Sequence, residues 1–366
     1  MTKLLSPFEL GSLKLKNRVC MAPMTRNQSP NNIPGDNVVE YYRKRAEGDV
    51  GLIITEGTCP GHKAASGYPN VPSFDGDEAL AGWQKVIDAV HNEGGKIAPQ
   101  IWHVGALRRP GIEPGGDTPG YSPSGMVVPG KVVGHVMTKQ DIKDTVKAYA
   151  RAAKNAQAIG CDAVEIHAAH GYLIDQFFWE GTNHRDDEYG GTPAKRLRFA
   201  LEVIEAMRKE VSDDFPIMLR YSQWKLQDYT ARLATTPQEL EEFLQPLSNA
   251  GVDIFHASQR RFWESEFDGS DLNLAGWRKK LTGKPSITVG SVGLDSDFIS
   301  GTTKGEFSGA DIASLDELHK RLDNDEFDLV AVGRALIANP SWAKKVAEDR
   351  MEELVPYEKN MLAELA

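Results

Sequence analysis

The chain has 366 residues, of which 40% are hydrophobic and 26% charged, with a formal net charge of −10 at neutral pH. This is enough apolar material for a large core, and the negative balance argues against a nucleic acid or an anionic membrane as partner, because the average surface repels both. The cysteines Cys20, Cys59 and Cys161 stand too far apart for a disulfide framework, a zinc knuckle or an iron–sulfur cradle.

From the N-terminus, Met1 to Leu5 runs into Pro7 without the apolar core of a signal peptide, and no apolar stretch approaches membrane-spanning length. A cytoplasmic, membrane-free protein is the expectation. Residues 7–16 read as a short hairpin that could plug the bottom of a barrel. Strands are then expected at 19–23, 51–55, 96–102, 162–167, 216–221, 253–257, 286–290 and 328–333. Several, such as Gly51-Leu52-Ile53-Ile54, are apolar without alternation, as strands covered on both faces are.

A helical pattern follows nearly every strand. Ile142, Val146, Tyr149, Ala150 and Ala153 share one helical face. Thr236-Pro237-Gln238-Glu239 combines a hydroxyl cap, a proline at the first helical position and a glutamate at the third. Ile159-Gly160 closes a helix on glycine. Eight strand–helix units predict an α/β protein of the (β/α)8 TIM-barrel class, one domain over residues 1–366. Two segments, 105–136 and 259–273, are too long and irregular to be plain connectors and are expected on the catalytic face. The first is as compatible with a disordered insertion; the second holds Phe262 and Trp263, candidates for a pocket wall.

In this fold, active sites gather at the carboxyl ends of the strands. The residues expected there are Thr25, Gly57, Gln100, Trp102, His103, His167, His170, Tyr172, Arg220, Gly290-Ser291 and Gly333-Arg334. Gly290, Ser291, Gly333 and Arg334 offer close backbone approach and a guanidinium at the ends of the seventh and eighth strands, the usual phosphate position. His167-Ala168-Ala169-His170-Gly171-Tyr172 sets two imidazoles and a phenol at one strand end. The spacing also suits metal ligation, with Glu165, His184 or His256 completing the shell.

Five blocks occur in order: Ala22-Pro23-Met24-Thr25-Arg26, Gln100-Ile101-Trp102-His103-Val104-Gly105, His167 to Leu173, Asn183-His184-Arg185 with Glu188-Tyr189-Gly190-Gly191, and Val332-Gly333-Arg334. Together the chain resembles the Old Yellow Enzyme family from Pro7 to about Pro340. That resemblance implies an FMN-dependent ene-reductase: NADPH or NADH reduces a non-covalently bound FMN, whose N5 hydride then reduces the C=C bond of an α,β-unsaturated carbonyl or nitro compound in a ping-pong cycle. By the same resemblance, Gly290, Ser291, Gly333 and Arg334 hold the FMN phosphate, while Pro23, Met24 and Gly57 line the ring system. Gln100 meets the pyrimidine edge, Arg220 faces the N1–C2 carbonyl region, and Thr25 donates to the C4 carbonyl. Threonine rather than cysteine at position 25 sets the chain nearer the family's classical branch.

His167 and His170 are implied to donate to the substrate oxygen, and Tyr172 to give the proton to Cα. Tyr68 and Trp102 are implied to line the substrate pocket; both fit plain core packing nearly as well. His103, His184 and His256 read as structural, and Arg185, Asp186 and Tyr189 as braces of the loop after the fourth strand. No G-x-G-x-x-G fingerprint is present, so no separate nicotinamide domain is expected. The expected partners are small electrophilic alkenes and the nicotinamide, with the chain a monomer or homodimer and no resident metal. Two rivals stand beside this reading: a metal-dependent barrel hydrolase built on His167 and His170, and a flavin-binding protein without catalysis.

Overall fold

A computed structural model describes residues 2–297 and 309–366. Eight parallel strands close into a barrel: β1 (Val19–Met21), β2 (Leu52–Thr58), β3 (Lys96–Ile101), β4 (Val164–His167), β5 (Ile217–Ser222), β6 (Ile254–Ser258), β7 (Ser286–Val289) and β8 (Leu329–Val332). Each pairs with the next, and β8 returns to β1 through Val330↔Val19 and Val332↔Met21, so the sheet has no edge. All eight expected strands are present. The largest departure is β2, which runs on to Thr58 past a register irregularity between Ile54 and Gly57.

The outer ring is built from α1 (Asp36–Glu47), α2 (Asp77–Asn92), α3 (Lys139–Ala158), α5 (Pro193–Glu210), α6 (Pro237–Ala250), α7 (Leu274–Thr282) and α8 (Asp316–Asp323), with a short α4 (Leu173–Phe178) between α3 and α5; α9 (Arg334–Ala338) leaves β8. The buried stripe of α3 holds Ile142, Tyr149 and Ala153 as expected. It is centred on Thr145, Ala148 and Ala152, which leaves Val146 and Ala150 half-buried. Thr138 and Asp141 form a reciprocal capping box at its start. At α6 the Thr236 hydroxyl accepts the Glu239 N–H at 3.2 Å, while the Glu239 carboxylate reaches back to the N–H of Thr235 rather than that of Thr236.

The antiparallel hairpin Phe8–Leu10 and Leu13–Leu15 closes the barrel bottom. Its Phe8, Leu13 and Leu15 join Leu52, Ile54, Met218, Ile254, Ile287 and Leu329 in one apolar cluster. Hydrocarbon thus fills the lower half of the barrel, and the polar residues collect above it. Among the described residues, no helix is long and apolar enough to cross a membrane.

The segment 105–136 is ordered, against the reading of it as a disordered insertion. It carries the pairs Tyr121–Ser122 with His135–Val136 and Met126–Val128 with Lys131–Val132. Buried Arg108 fastens its first half, donating to the carbonyls of Ser66, Ile112, Gly116 and Thr118. In the segment 259–273, Asn273 caps α7 and also donates to the Phe262 carbonyl at 2.8 Å.

Candidate active site

Strand register stacks the polar residues in tiers, because laterally paired residues point to the same side of a sheet. In the lower tier Gly57 pairs with Gln100, and Gln100 with Glu165. Above it His167 pairs with Arg220, and Arg220 with His256; higher again Ser222 pairs with Ser258. The Gln100 amide donates to Glu165 at 2.7 Å, and His256 Nδ1 lies 2.7 Å from the other carboxylate oxygen. Glu165 is therefore turned to Gln100 and His256, away from the His167–His170 pair. Among the described residues, no group of three or more side chains converges as a metal site, so the ligand set of the hydrolase rival does not assemble.

Arg220 is 8% exposed, and its Nη2 donates to Ser258 Oγ at 3.1 Å. Its Nε is buried with no partner, and no ion pair is formed by it among the described residues. Burial draws its pKa down to about 10, with Glu165 and Tyr172 opposing, so the group is still a cation at neutral pH. A buried guanidinium held by one hydroxyl needs a further acceptor.

The block after β4 supplies the rings. His167 Nδ1 accepts the Ala169 N–H at 3.3 Å, and burial, then Arg220 and His256, push its pKa far below the usual range. The ring is neutral with its proton on Nε2. His170 sits in the left-handed region at φ 64°. Its N–H donates to Ser222 Oγ, its carbonyl accepts the Leu226 N–H, and its ring stacks on Trp224 at 4.5 Å and 22°. It too is held neutral by burial and by Arg220. Beneath it the buried pair Lys225–Asp175 at 2.5 Å, with Asp175 accepting the Gly171 N–H, locks this block to the loop after β5.

Tyr172 stands edge-on to Trp102 and to His167, with ring centroids 4.9 Å and 5.0 Å away. Its hydroxyl is 3.4 Å from that of Tyr68, which stacks on Trp102. Burial pushes the Tyr172 phenol above the ordinary tyrosine range. Tyr68, Trp102, His167, His170 and Tyr172 are thus one contiguous aromatic cluster. Gly57 belongs to its frame: a Cβ there would lie 2.4 Å from the Trp102 indole.

Beside this cluster a cavity of about 360 Å³ opens at the barrel mouth, within the usual size range of ligand sites. Pro23, Met24, Thr25, His170, Arg220, Gly290, Ser291, Gly333 and Arg334 all line it, while Gly57, Gln100, His167, Tyr172, Tyr68 and Trp102 are not among its lining residues. Gly290 has φ 145°, and a Cβ on it would meet the backbone of Gln259 to Arg261 at 2.9–3.0 Å, so β7 turns there with no room for a side chain. Arg334 starts α9, donates to the Ser296 carbonyl at 2.5 Å and lies over the Tyr357 ring. Arg220 and Arg334 come from β5 and the end of β8, three strands apart, and much of the lining between charged groups is apolar (Met24, Val289, Ala331, Leu362). These surfaces suit a largely flat ligand with an anionic end and an acceptor for Arg220.

Phe262 is buried in the outer core with Trp263 against its edge, and neither lines the mouth cavity. The expected brace holds at Arg185, which pairs with Asp187 at 2.6 Å and donates to the carbonyls of Pro123 and Met137. Asp187 makes that pair and Asp186 is exposed, because the turn points the second acid inward. Ser258, Trp224 and Tyr357 are among the lining residues that the sequence reading did not place at the site. Ser258 ends β6 one residue past the expected strand, so the strand-end rule reaches it. Trp224 and Tyr357 lie in irregular stretches with no such signal; Tyr357 is held by pairing with Ala310.

Residues 3–353 match the sequence model of the NADH:flavin oxidoreductase / NADH oxidase family. The chain is 33% identical to an NADH oxidase of Thermoanaerobacter brockii over 96% of its own length, and spans 52% of that protein. It is 32% identical to flavin oxidoreductase hxnT of Emericella nidulans, covering 98% of this chain and 93% of the relative. For 12-oxophytodienoate reductase 2 of Arabidopsis thaliana the figures are 31%, 94% and 88%. Among solved structures, morphinone reductase in complex with tetrahydroNAD superposes with a TM-score of 0.82 at 29% identity, covering 98% of this chain and 93% of the other. The Old Yellow Enzyme homologue from Zymomonas mobilis gives 0.80 at 26%, covering 98% and 96%.

Proposed function

Because this chain belongs to the Old Yellow Enzyme family of NAD(P)H-dependent flavin oxidoreductases, we propose that it is an FMN-dependent ene-reductase acting on α,β-unsaturated carbonyl or nitro compounds. The observation that carries the reading is the cluster of two neutral imidazoles and a protonated phenol, His167, His170 and Tyr172, beside the buried cation Arg220.

The lining fits FMN by its donor set. Arg334, with the backbone at Gly290, Ser291 and Gly333, would hold the phosphate. Pro23 and Met24 would line the ring system and Thr25 would donate to its C4 carbonyl. The unpartnered Nε of Arg220 would meet the N1–C2 region. Gln100 gives one amide N–H to Glu165, which leaves its second N–H and its carbonyl for a ligand. When bound, FMN would supply the hydride chemistry that links NAD(P)H to the alkene Cβ.

The protein's own part is polar. His167 Nε2–H and His170 donate to the carbonyl or nitro oxygen, where negative charge grows as Cβ is reduced, and so favour the transition state over the ground state. Tyr172 gives its proton to Cα, and Trp102 and Tyr68 wall the substrate and exclude water. Nicotinamide and alkene use the same mouth in turn.

The test is anaerobic mixing of the yellow holoprotein with NADPH or NADH, followed by cyclohexenone. The expected result is bleaching of the flavin band and its return on adding the enone. Bleaching without return would leave a flavin-binding oxidoreductase of another substrate class, and a colourless protein that rejects added FMN would overturn the cofactor.

A further inference from the structure

We propose that Ser258 is a positioning residue that fixes the protonation pattern of His170, passing the field of Arg220 to the ring atom that meets substrate. The proposal rests on the ene-reductase reading for its chemical purpose, and on the geometry of three side chains for its substance.

Ser258 closes β6 and lines the mouth cavity. Its Oγ lies 3.1 Å from Arg220 Nη2 and 2.8 Å from His170 Nε2, all three groups being buried. Arginine can only donate, so one lone pair of the serine oxygen is committed to Arg220. The buried cation also orients the hydroxyl dipole, drawing the oxygen toward the guanidinium and turning the O–H away from it. The group on that far side is His170 Nε2. The chain is therefore Arg220 N–H to Ser258 Oγ, and Ser258 O–H to His170 Nε2.

The opposite pattern, with His170 Nε2–H donating to Ser258, would aim the positive end of the imidazole dipole at the same cation. It would also bring two donors to one oxygen and leave the serine proton without a partner in the triad. A histidine that accepts at Nε2 and is neutral carries its proton on Nδ1. Among the described residues, Nδ1 of His170 has no partner, and the ring lines the cavity. Nδ1–H is then the donor that His170 offers to a substrate oxygen, while His167 offers Nε2–H.

The two imidazoles follow from different partners. A backbone N–H, that of Ala169, sets His167; a side chain that can be mutated sets His170. Trp224, stacked on the His170 ring, and Ser222, which holds its N–H, fix where the ring lies but not which nitrogen is protonated.

The experiment uses ¹⁵N-histidine-labelled holoprotein and reads ring tautomers from long-range ¹H–¹⁵N correlations, with His170 assigned by its loss in His170→Asn. The expected spectrum shows His170 as the Nδ1–H form in the native protein, a shift toward Nε2–H or a mixture in Ser258→Ala, and recovery of Nδ1–H in Ser258→Thr. An Nε2–H form of His170 in the native protein, or an identical tautomer in Ser258→Ala, would overturn the proposal whatever the enzyme's activity. The kinetic companion is a fall of roughly tenfold or more in the enone-dependent rate in Ser258→Ala, restored in Ser258→Thr, as for other partners that orient an active-site imidazole. A native protein with the Nδ1–H tautomer that never reduces enones would keep the relay and sink the ene-reductase reading instead.

Discussion

Among the described residues the Tyr172 hydroxyl has one side-chain neighbour at hydrogen-bond distance, Tyr68, and rings of Trp102 and His167 on its flanks. Burial holds it protonated beyond the ordinary tyrosine range, so at neutral pH it can give a proton but cannot take one. That asymmetry yields a prediction about one atom. Tyr172→Phe removes the proton donor and keeps the ring packing. Flavin bleaching by nicotinamide should proceed at the native rate, while the enone-dependent step slows by about 10²-fold, the lower range for loss of a general acid. Anaerobic stopped-flow mixing separates the two halves; equal slowing of both would mean the phenol shapes the cavity rather than protonating substrate. Residues of this kind are the ones a reader can find in the chain, because His167, His170 and Tyr172 fall within six positions at one strand end. Ser258 and Trp224 complete the same site from β6 and the loop after β5, and only the closed barrel brings them to His170.

Elements marked by an apolar run, a helical stripe or a cap are legible, and elements without such a mark are not. The eight barrel strands announce themselves as short apolar runs because both faces are covered, and α6 by Thr236 and Pro237. β2 is longer than its sequence suggests because Glu56-Gly57 breaks the apolar run, although the chain stays in the sheet past the irregularity, with Gly57 making room for Trp102. The segment 105–136 gives no period at all: its strands are two or three residues long, and its shape comes from Arg108 reaching four carbonyls, with no ion pair formed by it among the described residues. A planar fork meets those acceptors and an ammonium cannot. Arg108→Lys should therefore loosen residues 109–120 and lower stability by about 2 kcal/mol, the scale of a lost charged hydrogen bond. Thermolysin should cut this segment markedly faster in the variant, with the barrel strands still resistant. Unchanged cleavage would show that Tyr121–Ser122 and its partner strand hold the segment alone.

At the scale of the whole molecule, closing a barrel over a polar mouth traps titratable groups, and their balance dictates how folding answers to pH. Five imidazoles, those of His62, His103, His167, His170 and His256, have their pKa lowered by burial, His62 to about 4. In the unfolded chain each takes up a proton as pH falls through about 6.5. The folded rings stay neutral, so the unfolded state binds more protons and stability is lost as pH drops. Two carboxyls act the other way. Glu56, which holds the Arg26 and Asn27 N–H groups next to Thr25, and Glu266 are both raised by burial to about 7. Between the ordinary glutamate value near ~4.3 and 7 they keep protons that the unfolded chain has released. Asp175 is raised by burial as well, against the pull of Lys225. Five groups against two or three leave a net uptake of two or three protons on unfolding, or roughly 3–4 kcal/mol per pH unit below 6.5. Urea titrations of the holoprotein at pH 7.5, 6.5, 5.5 and 5.0 should thus give little change across the first step and a steep fall across the others. A midpoint that stays level from pH 7 to pH 5 would mean that the barrel takes up protons while folded, and that the His167–His170 pair is not the neutral donor pair on which substrate polarisation depends.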